Sequence, residues 1–190
     1  MKEIKKMLIA GIGGQGVVFV TNLIAEAAMI SEVPVATSEI HGLSQRRGSV
    51  MAAVTFGENS FGFLEKGGAD FLLGLESLEA QRCIDYLNRD SRVVIDSLEI
   101  YPHSVTSGKT NYPEIKLFIK YLEENISQVI YNLDFSSDLS PILRNVYLLG
   151  IASNLKDFPL KPESIEKAIT KTARKKYLEE SLRAFRMGRG

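Results

Sequence analysis

The sequence has one cysteine, two histidines, no tryptophan and no net charge, 23 Lys+Arg balancing 23 Asp+Glu. With Cys83 alone, neither an iron–sulfur cluster nor a four-cysteine zinc site can be built on this chain, and no disulfide framework is available. His41 and His103 are the only imidazoles, so a mixed site would need carboxylates from distant segments, and no metal site is expected. Charge neutrality removes the basic footprint of a dedicated nucleic-acid binder. No apolar run approaches about 18 residues and no charged-then-apolar leader is present, so neither a membrane span nor a signal peptide is expected. A reducing, cytoplasmic setting follows as the expectation.

What is present is ordinary in bulk: 190 residues, 45% hydrophobic and 24% charged, enough for a real core in one domain over residues 1–190. The patterning predicts alternating strands and helices. Ile4 to Ala10 reads as a strand, Val17 to Ile30 as a buried helix, Val33 to Thr37 and Ser49 to Phe56 as strands, and Gly57-Glu58-Asn59 as a hairpin turn. Ala69 to Leu75 reads as a buried strand, Glu76 to Leu87 as an amphipathic helix containing a buried Cys83, and Arg92 to Asp96 as a strand ending on a carboxylate. Loops or short edge strands are expected around Tyr101-Pro102-His103-Ser104, a helix from Pro113, a strand over Val129 to Leu133, and a helix opened by Ser140 as cap with Pro141 in its first turn. The final third is helical. Leu148/Ile151/Leu155 and Ile165/Ala168/Ile169 form helical faces that read as core, and the basic groups at Arg174-Lys175-Lys176 and Arg183 to Arg189 read as solvated helix faces. The expected fold is a three-layer α/β/α arrangement around a mostly parallel sheet with a helical C-terminal third.

Two loops follow the first two predicted strands, and loops after parallel strands gather on one sheet edge, where ligands and partners bind. The first, Gly11-Ile12-Gly13-Gly14-Gln15-Gly16, satisfies Gly-x-Gly-x-x-Gly between a strand and a helix. Two readings stay open for it: a nucleotide cradle, or a tight turn that packs helix on sheet. The acidic residue expected at the end of a dinucleotide fold's second strand is replaced by Ala36-Thr37-Ser38, with Glu39 late. Gln15 has a bulky amide that phosphate approach does not need, which suggests a hydrogen bond to a partner loop or a ligand carbonyl. The second loop, Glu39 to Gly48, places Glu39, His41, Ser44, Gln45, Arg46 and Arg47 within nine residues. Its arginines suit bidentate binding of a carboxylate or phosphate, against a bland salt-bridged loop. A Ser44/His41 nucleophile pair is not expected, because three residues' separation on a loop is no established geometry and no orienting third group can be named.

The strand closed by Gly-Ile-Gly-Gly-Gln-Gly-Val, followed by Glu-Ile-His-Gly-Leu-Ser-Gln-Arg-Arg-Gly-Ser-Val, resembles the gamma-type subunit or domain of 2-oxoacid:ferredoxin oxidoreductases, in particular the small (beta) subunit of the indolepyruvate branch. The resemblance extends through Asn145-Val146-Tyr147-Leu148-Leu149-Gly150 and Leu182 to Gly188, nearly the whole chain. It implies a subunit, inactive alone, of an enzyme that oxidatively decarboxylates 2-oxoacids to acyl-CoA and passes electrons to ferredoxin. Thiamine diphosphate with Mg, iron–sulfur clusters and coenzyme A would belong to the holoenzyme, with thiamine diphosphate and clusters on a large partner subunit in a heterodimer or heterotetramer. The residues agree, since one cysteine cannot hold clusters and no Gly-Asp-Gly with a downstream asparagine provides the thiamine-diphosphate metal motif. By the same resemblance, Gly11, Gly13, Gly14, Gln15, Gly16, Glu39, His41, Ser44, Gln45, Arg46 and Arg47 form loops facing partner or ligand, with no catalytic residue of their own. An independent Rossmann-like dinucleotide-binding protein is the alternative, and a purely structural interaction module a third reading.

Overall fold

The computed structural model describes residues 4–41, 48–132, 135 and 138–190, with Ile40 and His41 described by backbone alone. The elements in chain order are β1 (Lys5–Ile12), α1 (Val17–Ile30), β2 (Val35–His41), β3 (Ser49–Phe56), β4 (Ala69–Gly74), α2 (Ser77–Arg82) and β5 (Leu87–Asp96). They continue with α3 (His103–Thr106), α4 (Ile115–Asn125), β6 (Gln128–Asn132), α5 (Arg144–Ala152), α6 (Pro162–Thr172) and α7 (Leu178–Arg189). The six strands form one sheet in the order β2-β3-β1-β4-β5-β6. β1, β4, β5 and β6 pair in parallel, while β3 runs antiparallel between β1 and β2. Five strands therefore point one way, as a mostly parallel sheet requires.

Strand side chains alternate between two apolar layers, as the pleat dictates. Met7, Ile9, Val54, Phe71, Leu73 and Val94 face α1, α5, α6 and α7, and Leu8, Ala10, Leu72, Val93 and Ile95 face α2 and α4. Leu148, Leu155, Ile165, Ala168 and Ile169 are buried in the first layer and Ile151 packs against it, so those helical faces are core. Cys83 is buried in the second layer, its Sγ 3.5 Å from Met51 Sδ, and burial pushes its thiol up to about 12.

Several boundaries differ from the sequence expectation. Gly57 and Asn59 have positive φ, but no hairpin forms: β3 pairs with β1 and β2, and the chain crosses to β4 on the far side of β1. The helix expected to reach Leu87 stops at Arg82, and β5 begins at Leu87 because Asn88 and Ser91 side chains bond Gly67 and Ala69 carbonyls beside the ladder. β2 runs through Glu39 to His41 because pairing with Val50, Met51 and Ala52 continues past the polar residues. The segment after Pro102 forms α3 rather than a strand, and Ser140 precedes a 3-10 turn without bonding it through its side chain.

In the first layer α5 and α7 meet backbone to backbone at two glycines. A Cβ on Gly150 would fall on the Phe185 carbonyl oxygen, and one on Gly188 on that of Tyr147. Either glycine to alanine is expected to cost about 1–3 kcal/mol by overpacking, read as a lower denaturant midpoint at unchanged slope. Cys83 is expected to resist iodoacetamide in the native state at pH 8 and to react on unfolding, because a thiol held near 12 carries almost no thiolate there.

Candidate functional site at the carboxyl edge of the sheet

The glycine turn sits where β1 hands over to α1. Gly11 is still strand, packed so tightly that a Cβ there would lie 3.0 Å from both Gln15 Oε1 and Val17 Cγ2. Gly14 and Gly16 have φ of 101° and 84°, conformations that an L side chain rarely adopts. Gly16 caps α1 without a side chain, and the first turn holds no acidic residue. Gln15 uses its amide within the chain: Oε1 accepts the Ile12 N–H at 2.7 Å and Nε2 donates to the Leu75 carbonyl at 3.0 Å. The amide thus ties the turn to the end of the neighbouring parallel strand β4. Asn145, at the start of α5, donates Nδ2 to the Gln15 carbonyl at 3.2 Å, and a Cβ on Gly16 would press to 2.5 Å of that nitrogen.

The two sequence motifs share one edge. β1 and β2 run in the same direction, and the Gly13 N–H donates to the Gly48 carbonyl at 2.9 Å, joining the first turn to the exit of the second loop. Glu39 lies exposed on β2 and His41 ends that strand. Ser44, Gln45, Arg46 and Arg47 lie outside the described residues.

Beside the turn is a cavity of about 740 Å³, its walls supplied by Gly14 to Gly16, Leu75, Leu98, Ile100, the Pro141 to Asn145 segment, Leu148, Thr172 to Arg174 and Tyr177. That volume falls within the roughly 300–1,000 Å³ usual for ligand sites. Its floor is an ion pair. Asp96, fully buried at the end of β5, takes Arg144 bidentately, with Oδ1 2.7 Å from Nη2 and Oδ2 against Nε, and accepts Asn132 Nδ2 at 3.3 Å. The guanidinium also stacks on Phe135, its carbon 4.7 Å from the ring centre. The Leu98–Ile100 wall is pinned from behind by buried Glu76, which accepts the Ile100 N–H at 3.0 Å and the Tyr112 hydroxyl at 2.7 Å. Burial, then the bond to Glu76, push the Tyr112 phenol well above its ordinary range.

The cavity residues Asp96, Arg144, Asn145, Arg174 and Tyr177 were absent from the sequence-predicted site. A carboxylate closing a strand and an arginine opening the helix after Ser140-Pro141 were the available signals, and only the fold shows that they meet. The topology also separates the chain from a dinucleotide fold, where the strand bearing the acidic residue adjoins the first strand. Here β3 occupies that place and β2 lies one strand further out.

A family model described as pyruvate ferredoxin/flavodoxin oxidoreductase matches residues 6–190. The chain belongs to this family. Within the pyruvate ferredoxin/flavodoxin oxidoreductase family, the chain is 34% identical to the indolepyruvate oxidoreductase subunit IorB of Archaeoglobus fulgidus, over 96% of this chain and 92% of that one. It is 35% identical to the IorB of Thermococcus kodakarensis, over 99% and 95%. Among solved structures, the keto/oxoacid ferredoxin oxidoreductase gamma subunit of Geobacter sulfurreducens shares the fold at TM-score 0.69 and 22% identity, covering 97% of this chain and 95% of that one. The 2-oxoglutarate:ferredoxin oxidoreductase of Magnetococcus marinus, solved with 2-oxoglutarate, coenzyme A and succinyl-CoA bound, shares it at TM-score 0.71 and 18% identity, covering all of this chain but 31% of that one.

The described residues offer no set of groups that fits the thiamine-diphosphate metal or the clusters implied for such enzymes. The single thiol is buried, and burial pushes it up to about 12; the edge carboxylate Asp96 is taken by Arg144, and no group of three potential ligands occurs among the described residues. No helix of the described residues is long and apolar enough to cross a membrane.

Arg144→Met is expected to destabilise the chain by about 3–5 kcal/mol by leaving Asp96 buried and unpaired, and adding Asp96→Asn is expected to recover most of the loss. Thermal unfolding of the two single variants and the double variant checks this. Equal loss in the double would show that the pair's charge is not what matters.

Proposed function

We propose that this chain is the small subunit of an indolepyruvate ferredoxin oxidoreductase, a single domain that completes an enzyme converting aryl 2-oxoacids to acyl-CoA with electrons passed to ferredoxin. The observation that carries this reading is the near-complete match, in both chains' lengths, to the indolepyruvate oxidoreductase subunits at about one-third identity. The chain's own chemistry supports a completing role, since it has scaffold and recognition groups but no nucleophile, cluster or metal constellation among the described residues. Thiamine diphosphate, Mg and the iron–sulfur clusters then reside on a large subunit, in a cytoplasmic heterodimer or heterotetramer that meets ferredoxin.

The carboxyl edge of the sheet faces that subunit. Gly11, Gly13, Gly14, Gln15 and Gly16 form its turn, and Glu39, His41, Ser44, Gln45, Arg46 and Arg47 are the second motif's contribution to partner and ligand, the arginines suiting substrate or coenzyme A anions. Support for an edge that faces partner and ligand comes from the glycine turn and the Gly13–Gly48 hydrogen bond that joins it to the exit of the second loop. The relative solved with coenzyme A contains this fold as about a third of a longer chain, which supports a module working against further protein.

The test is anaerobic purification of the tagged chain from its native cells. A larger iron–sulfur protein is expected to accompany it, and the complex, but neither part alone, is expected to reduce ferredoxin with indolepyruvate and coenzyme A. A colourless, lone chain that binds NAD or FAD would overturn the reading in favour of a dinucleotide-binding protein.

A further inference from the structure

The rim of the carboxyl-edge cavity is unbalanced in charge. Among the described residues its one acidic lining residue, Asp96, is spent on Arg144, and Arg174 makes no ion pair. Lys175 and Lys176 continue from it on the 3-10 turn Lys175–Tyr177 and make none either; Lys176 Nζ lies instead 5.2 Å from the Tyr177 ring centre. Of the other cations of the same helical layer, Lys171 is paired with Glu26 at 2.6 Å and Arg186 with Glu166 at 2.7 Å, while Lys167, Arg183 and Arg189 form no ion pair among the described residues but do not sit together beside the cavity. Glu179 and Glu180 begin α7 just beyond but form no ion pair with these three. Three adjacent cations with no ion pair among the described residues therefore border a hollow whose surface is mostly apolar.

The apolar part of the rim is also uncovered. Ile142 is 65% exposed and Phe19 39% exposed, and both line the cavity. A ligand seated inside would meet Arg144 and Arg174, yet Lys175 and Lys176 are not among the lining residues and would stay outside its reach. An apolar centre with charge at its border is the composition of a protein–protein interface, and uncovered apolar side chains beside it mark a surface that another chain occludes.

We propose that this cavity and its cationic rim receive a segment of the large subunit that inserts apolar side chains against Phe19, Leu98 and Ile142 and sets Asp or Glu opposite Arg174, Lys175 and Lys176. The inference rests on the small-subunit reading and specifies the surface and the chemistry of its partner. Charge complementarity decides the occupant, because a neutral or basic segment would leave the three cations desolvated without compensation.

The experiment co-expresses the chain with its large subunit and measures their dissociation constant across a salt series. Two variants are compared with the wild type: the charge reversal Arg174→Glu/Lys175→Glu/Lys176→Glu, and Ile142→Asp. The reversal is expected to weaken association by about 100-fold at low salt and to flatten its salt dependence, and Ile142→Asp to weaken it by about tenfold with the dependence intact. All four positions are on the surface of the isolated chain, so circular dichroism and thermal unfolding of each variant are expected to match the wild type and to separate lost docking from lost folding. Variants that bind as tightly as the wild type would overturn the inference while leaving the small-subunit reading in place. Unchanged assembly with a raised KM for coenzyme A or the oxoacid would also overturn it, placing a small organic anion in the cavity. A wild-type chain that never associates with a large subunit would sink the small-subunit reading itself.

Discussion

The antiparallel strand β3, inserted between β1 and β2, is the constraint on which the carboxyl edge depends. It keeps β1 and β2 running in one direction while holding them apart, so the turn after β1 and the loop after β2 emerge on the same side with one strand's width between them. The Gly13–Gly48 hydrogen bond is possible because β3 begins beside the end of β1, where Ile12 pairs with Ser49. Were β2 and β1 direct neighbours, the strand order at this edge would match that of a dinucleotide fold.

From that edge the helical layer is fixed by polar contacts rather than by apolar packing alone. Asn145 reaches the Gln15 carbonyl, Arg144 reaches Asp96, and Gln15 spans to Leu75, so three strand ends and the start of α5 are linked by side chains. Each contact removes a polar group from water, and each has its partner in place, which is the condition under which burial of such groups is tolerable. The cavity is what remains between these struts and the 3-10 turn before α7.

Much of the scaffold was legible in the sequence because its signals are local. The spans Val17–Ile30 and Ser49–Phe56 coincide with α1 and β3, since an unbroken apolar helix and an alternating strand bounded by a proline turn and glycines carry their own periodicity. The direction of β3 was not legible, because pairing partners lie far apart in sequence and alternation looks the same whichever way a strand runs. The length of β2 was hidden for a related reason: Glu39 and His41 look like loop residues until the ladder to β3 extends through them. At the site, the glycine turn was visible as a motif, whereas the Asp96–Arg144 pair joins residues 48 apart and needs the fold to bring them together. Gln15 was singled out for its amide, and that amide turns inward to Ile12 and Leu75.

The crossing of α5 over α7 sets a limit on how this chain can diverge. Gly150 and Gly188 each lie against backbone of the opposite helix, so the usual route of exchange in a core, a larger residue on one side matched by a smaller one on the other, is closed. Nothing smaller than glycine exists to compensate. Sequence drift in these two helices must therefore proceed around a fixed pair of points, and any descendant that loses one of them has to re-aim a whole helix rather than trade side chains.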